Sequence, residues 1–173
     1  MLLSFIPDVV FIEGNKAYVV NPQSSDSSIY SYGTSGTSHP IVEGNYQRRA
    51  WKLNRIQVEG YDPLYDEPVV VDSFSWAEIA RLYDRLKQLE DRNIDSVSEA
   101  EQRGEVYLRQ AEIESTSGAI RIPPNCGQQL YDVIDITDSR AGLSGEKKRV
   151  LELILVYRPR HGEYEHRLLL GTV

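Results

Sequence analysis

From Gly118 to Leu170 the chain reads as four consecutive strands made of strand-favouring residues, with almost no side chain suited to catalysis among them. Pro123-Pro124 bars its own segment from a central ladder and marks a loop or an edge crossing. Val133, Ile134 and Ile136 belong to a well-buried strand, and Arg140 to Gly145 is a turn or loop. Val150 to Tyr157 is apolar on both faces apart from Glu152, as a central strand is. The last hairpin turns at Pro159-Arg160-His161-Gly162. Beyond it Glu163, Glu165 and Arg167 point one way and Tyr164, His166, Leu168 and Leu170 the other. A third of the chain is thereby committed to sheet, and the pattern points away from an enzyme.

The first two thirds add shorter strands and helices. Val9 to Val20 predicts a hairpin turning at Glu13-Gly14-Asn15-Lys16. Residues 21–40 are mostly loop, broken by Ile29 to Tyr32 as a short edge strand. Arg55 to Gly60 alternates cleanly, with Ile56 and Val58 on one face. Tyr61 to Pro68 resembles a linker or crossover, and Val69-Val70-Val71 one more short strand. Ser75 and Glu78 form a capping box ahead of a stripe of Trp76, Ile79, Ala80, Tyr83 and Leu86, which predicts a helix over 75–92. Ser98 and Glu101 repeat the cap ahead of a second helix ending near Ser115, with Ala100, Gly104, Tyr107, Leu108 and Ala111 inward and a Glu105–Arg109 pair outward. Gly104 on the inner face suggests a close approach of helix to sheet or helix to helix.

Strands, two helices, then strands is the α+β order, with no repeat at a fixed period. The expected fold is an antiparallel curved sheet or β-barrel with two central α-helices. The segments are 1–72, β-rich; 73–116, two-helix; and 117–173, four-stranded, forming one or two small domains together.

At 173 residues the chain can bury a real core. A net charge of −7 with scattered Lys and Arg argues against nucleic acid as partner, and Lys147-Lys148-Arg149 reads as a solvated turn. The longest apolar stretch, Leu153 to Tyr157, falls far short of a bilayer span, and Met1 to Ile6 lacks the basic start of a signal peptide.

Candidate chemistry is thin. Cys126, the sole cysteine, would need one of His39, His161 or His166 as base, and a small packed cysteine is the commoner outcome. Asp132, Asp135 and Asp138 recur every third residue along a strand, so their side chains alternate instead of converging on one ion. Gly33 to Ser38 lacks the Gly-Lys-Ser/Thr of a phosphate loop. No cofactor or metal site is expected. Of eleven tyrosines, Tyr18, Tyr83, Tyr107, Tyr131, Tyr157 and Tyr164 suit packing, while Tyr30, Tyr32, Tyr46, Tyr61 and Tyr65 are the candidates for an exposed contact surface.

The strand at Gly118, the Pro-Asn-Cys-Gly loop at 124–127, Leu130-Tyr131-Asp132-Val133-Ile134-Asp135-Ile136-Thr137-Asp138, the Gly142-Leu143-Ser144 turn and the closing hairpin ending in Arg167-Leu168-Leu169-Leu170-Gly171 resemble the C-terminal part of phage or prophage tail and baseplate hub proteins. In that family the segment follows a helix rich in Ala, Glu and Arg, a place that Ser98 to Ser115 fits. The resemblance is better over 96–171 than elsewhere. It implies a non-enzymatic structural component acting through protein–protein contacts with other tail or baseplate proteins. It further implies a homo-oligomeric ring, a trimer being one option, found in the virion tail or in the host cytoplasm during assembly. The alternative from composition is a stand-alone carbohydrate- or peptide-binding module using the N-terminal tyrosines. A hydrolase built on Asp132 to Asp138 is a further rival.

Overall fold

The computed structural model describes residues 8–34, 39–47 and 51–173. The chain divides into two compact units that interleave along the sequence: Met1–Asn21 with Trp51–Ile113, and Pro22–Ala50 with Glu114–Val173.

The first unit opens with β1 (Val9–Glu13) and β2 (Lys16–Val20), an antiparallel hairpin in which Glu13 faces Lys16. Gly14 takes φ +62° at its turn, a conformation open to glycine at little strain. The rest of the unit is a three-stranded sheet of β6 (Arg55–Asp62), β7 (Glu67–Phe74) and β8 (Leu86–Glu90), in the order β7-β6-β8. Ile56 and Val58 on β6 are fully buried with Val69, Ile94 and Ala100, as the alternation predicts. Helix α2 (Val97–Ile113) covers this core with Ala100, Tyr107 and Leu108, and Gly104 lies directly on Ser73 of β7.

Several expectations for this unit are corrected. Tyr61 to Pro68 is no crossover: β6 and β7 pair antiparallel from Arg55↔Phe74 to Asp62↔Glu67, so the segment is a hairpin tip. The first helix, α1, runs only from Trp76 to Leu82, and Ser75 makes no side-chain capping bond. Residues 86–90 are β8, parallel to β6 with Leu89 beside Val58. Strand pairing over the buried face of β6 outweighs the helical spacing of leucines. The cap of α2 is Ser96, whose Oγ accepts from the Glu99 N–H at 3.4 Å, two residues earlier than the Ser98 reading. Arg109 pairs with Glu112 at 2.6 Å instead of Glu105.

The second unit is a seven-stranded sheet of β3 (Tyr30–Gly33), β4 (His39–Pro40), β5 (Glu43–Tyr46), β9 (Thr116–Ile122), β10 (Val133–Asp138), β11 (Leu143–Arg158) and β12 (Glu163–Gly171). Its order is β4-β3-β10-β11-β12-β9-β5, so it stays open between β4 and β5 and does not close into a barrel among the described residues. The α+β class holds. The sheets are mixed, because β3 runs parallel to β10 and β4, and β8 parallel to β6. The core is Tyr32, Ile41, Ile120, Ile122, Ile134, Ile136, Val150, Leu168 and Leu170. Arg149 is buried within this unit, ion-paired to Asp26 at 2.9 Å and donating to the carbonyls of Gln23 at 2.8 Å and Tyr131 at 3.1 Å. The loop ahead of β3 is thereby tied to the middle of the sheet.

Candidate contact surface

β11 is sixteen residues long, while its neighbour β10 has six and β9, beyond β12, has seven. β10 accompanies β11 only as far as Val133↔Arg149, and β9 accompanies β12 only from Ile122↔His166 onward. The far half of β11 and the start of β12 therefore form a hairpin outgrowth joined by Pro159–His161 and by Gly162 at φ +67°.

Register fixes what each face of the outgrowth carries. Leu153 lies across from Leu168, Leu155 from His166 and Tyr157 from Tyr164, so one face continues the buried layer outward. Along it burial fades: Leu168 and His166 are buried, whereas Leu155 is 52%, Tyr157 66% and Tyr164 53% exposed. The two tyrosine rings meet edge to face at 5.5 Å. The opposite face pairs Ile154 with Arg167, Val156 with Glu165 and Arg158 with Glu163, and Ile154 is 46% exposed. The apolar run read as a central strand is thus central only up to Val150. Beyond it, apolar side chains on both faces meet solvent, a concentration that marks an interaction site more often than a free surface.

A second exposed group lies in the first unit. Trp76 stacks on Phe74 with ring centres 4.7 Å apart, and Arg55 sits over the Phe74 ring at 5.1 Å. Trp76 is 69% and Tyr83 87% exposed, so the stripe predicted to face a core faces outward. Tyr83 stands seven positions after Trp76, nearly two helical turns on, and Trp76 opens the helix that Tyr83 closes.

The five tyrosines singled out from the sequence do not form one patch. Tyr30, Tyr32 and Tyr46 belong to the second unit, Tyr61 and Tyr65 to the first. Tyr32 is wholly buried, its hydroxyl donating to Gln128 Oε1 at 2.8 Å and accepting from Asn125 Nδ2 at 2.9 Å, and burial pushes its pKa up. Tyr30 and Tyr46 are half-buried; Tyr46 donates to Asp138 at 3.0 Å, and burial followed by that carboxylate raises its pKa. Tyr61 and Tyr65 are exposed on the β6–β7 hairpin, where Tyr61 bonds Asp66.

The aspartates go to separate partners. Asp132 accepts from Gln128 and Gln129, Asp135 from Ser28, and Asp138 from Tyr46 and Arg140. No group of three or more metal-ligating side chains forms among the described residues. Cys126 is exposed, and His166 Nδ1 accepts from the backbone N–H of Asn125 at 3.4 Å, which engages the imidazole in holding the loop. Of Gly33 to Ser38, residues 35–38 lie outside the described part. No helix among the described residues is long and apolar enough to cross a membrane.

Two solved structures share this arrangement of elements. The tail protein from Neisseria meningitidis MC58 superposes with a TM-score of 0.65 at 13% identity, over 95% of this chain and 51% of its own length. The 43 kDa tail protein of prophage MuSo2 from Shewanella oneidensis gives 0.65 at 10% identity, over 96% of this chain and 50% of its own. The chain has a tail-protein fold. The resemblance read from the C-terminal strands is therefore borne out at the level of fold, and the tail-protein fold extends over nearly all of the chain. The chain spans about half the length of these two tail proteins. No protein-family model matches the sequence, and no curated protein matches it.

Proposed function

We infer that the chain is a structural component of a phage or prophage tail, acting in the virion through contacts with other tail or baseplate proteins and without catalysis of its own. The observation that carries this reading is the tail-protein fold shared over 95% and 96% of the chain. The apolar outgrowth of β11 and β12 supports it, since an assembly subunit needs surface to bury against neighbours. The dispersed aspartates and the engaged His166 supply no convergent acid–base pair.

The test is to delete the coding segment from the phage or prophage that carries it, then examine particles by electron microscopy and purified tails by mass spectrometry. The reading expects the chain to co-purify with tails and its loss to leave tails absent or unfinished. Complete, infectious tails without it would overturn the reading.

A second reading, a carbohydrate- or peptide-binding module, is favoured by the stacked Phe74–Trp76 pair with its outward indole, a geometry that suits a sugar ring. A glycan array with wild type and Trp76→Ala decides it: saturable binding lost with the indole supports the module, and an empty array removes it.

A further inference from the structure

From Leu151 to Arg158, β11 has β12 on one side and, among the described residues, no strand on the other. An open edge presents a row of backbone N–H and C=O groups to a further strand, and proteins that must keep it free blunt it with proline or lysine. Neither residue occurs between Leu151 and Arg158. The β1–β2 hairpin is unfinished in the same way. It is a two-stranded sheet whose outer edges are unpaired among the described residues, and two strands alone are marginal in water. Val10 and Ile12 of β1 lie across from Val19 and Ala17 of β2, and all four are exposed, so an apolar face of the hairpin meets solvent.

We propose that the free edge of β2 pairs with the open edge of β11 on a neighbouring copy of the chain, antiparallel, with Ala17 across from Leu155. The backbone groups set the direction. Val150, on the inner face of the sheet, donates its N–H to the Asp132 carbonyl and accepts the Tyr131 N–H, both on the β10 side. Residues on one face of a strand send their backbone groups to one side. Leu153, Leu155 and Tyr157 share the face of Val150, so theirs point to the edge that β10 leaves uncovered. In the hairpin, a two-residue turn makes Glu13 and Lys16 a hydrogen-bonded pair, which leaves Ala17 and Val19 to point theirs to the free edge of β2. Antiparallel pairing sets these two groups of residues opposite each other and joins the two apolar faces; parallel pairing would put them on opposite faces.

The surroundings of the edge set the register. With Ala17 across from Leu155, Val20 meets Glu152, Val19 meets Leu153, Tyr18 meets Ile154 and Lys16 meets Val156. Sliding β2 two residues one way brings Val20 onto Val150, whose backbone β10 already holds. Sliding it two residues the other way sets Lys16 on Arg158 and leaves Leu153 uncovered. A slip of one residue turns the apolar row to the other face. The joint is a four-stranded sheet β1-β2-β11-β12 across two copies, with Ile12, Ala17 and Leu155 in one apolar row and Val10, Val19 and Leu153 in the next. It needs no ion pair, and Arg158 keeps Glu163 within its own hairpin. Because two different edges meet, the contact is head to tail, and it builds a ring where the rotation between copies closes. That is the kind of assembly which the tail and baseplate resemblance implies. The proposal deepens the tail-component reading, on which it rests, by naming the two surfaces and their register.

The test uses the full chain in a Cys126→Ser background, which removes the exposed native thiol. Lys16→Cys and Val156→Cys are made in separate chains and mixed, so that any bond between them joins two copies. The two positions form a non-hydrogen-bonded pair, across which a disulfide spans the strands. Mild oxidation of the mixture is expected to join one chain of each kind. Either variant alone, and Lys16→Cys mixed with Arg160→Cys from the hairpin turn, should stay unlinked. Light scattering over a wide concentration range then compares the wild type with Ala17→Lys, Leu155→Glu and the double variant. Both positions are exposed in the single copy, and circular dichroism checks that every variant folds. Each single variant puts an unpaired charge into the joint and is expected to weaken association about tenfold; the double variant sets opposite charges across from each other and regains most of it. A monomer at all concentrations, a mixture that does not cross-link, Val156→Cys linking to itself, or single variants that the double variant does not rescue would each overturn the proposal. None of these touches the tail reading, which is scored by incorporation into tail particles.

Discussion

Asn54 holds the backbone of Tyr83 from twenty-nine residues away, its Nδ2 donating to the Tyr83 carbonyl at 2.6 Å while its Oδ1 accepts from the Arg85 N–H at 2.7 Å. Tyr83 has φ +64°, outside the helical region, and α1 ends there. Asn54 is fully buried, so it replaces the helical partners that these two groups give up. One side chain thereby converts a helix into the start of β8. Asn54→Ala orphans both groups and should destabilise the chain by about 2 kcal/mol, read as a lower urea midpoint. Asn54→Asp keeps the bond from Arg85 and loses the one to Tyr83, so it should fall between the two.

Gly104 gives a prediction of unusual sign. Alanine normally stabilises a helix interior by about 1 kcal/mol over glycine. At this position an added Cβ collides with Ser73 Oγ, lies 2.9 Å from Ser73 Cβ and approaches Ile56 at 3.4 Å. Gly104→Ala should therefore destabilise by about 1–2 kcal/mol through overpacking of α2 on the sheet. Ser73→Gly in the same chain should recover most of the loss, and the double-mutant cycle measures the coupling directly.

Arg149 lies in the middle of the second unit's sheet, where Asp26 and two carbonyls converge. Arg149→Met should cost about 3 kcal/mol, because it leaves those acceptors without their buried donor. Asp26→Ala, at the more exposed end of the pair, should cost only about 1 kcal/mol. Thermal melts of the two variants rank them, and equal losses would contradict this account.

What the sequence made legible follows from where the periodicity was both strong and local. The Val9–Val20 hairpin, the β6 alternation, the inner face of α2 and the last four strands all have their signals within ten or so residues. The helix expected through residues 83–92 failed because its decisive partner, Asn54, is distant in sequence and carries no periodic signal of its own. The site was harder still. Apolar residues on both faces of Val150 to Tyr157 read equally as a doubly covered strand or as an edge awaiting a partner. Only the short reach of β10 beside β11, and of β9 beside β12, tells the two apart, and strand partners are not written in a single strand.

Acid sensitivity should come from two groups in separate windows. Arg140 donates to Asp138 from its side chain and backbone, and Tyr46 adds its hydroxyl, holding the buried Asp138 carboxyl below its ordinary range. A carboxylate depressed in the folded state contributes stability above its unfolded pKa, about 3.9, and loses it as pH falls further. Burial likewise pushes the His166 imidazole below its usual value of about 6.5. The unfolded chain then takes up that proton first, so stability from neutral His166 is full above about pH 6.5 and declines as pH falls below it. Asp132, raised by burial, acts with the opposite sign: its contribution is present below its unfolded pKa and is lost as pH rises through the folded one. Urea midpoints measured from pH 8 to 3 should fall for the wild type. The loss that sets in below about pH 6.5 should flatten in His166→Gln, and the loss below about pH 4 should flatten in Asp138→Asn. Asp132→Asn should instead steepen the decline. An unchanged upper limb in His166→Gln would show that the buried imidazole does not set it.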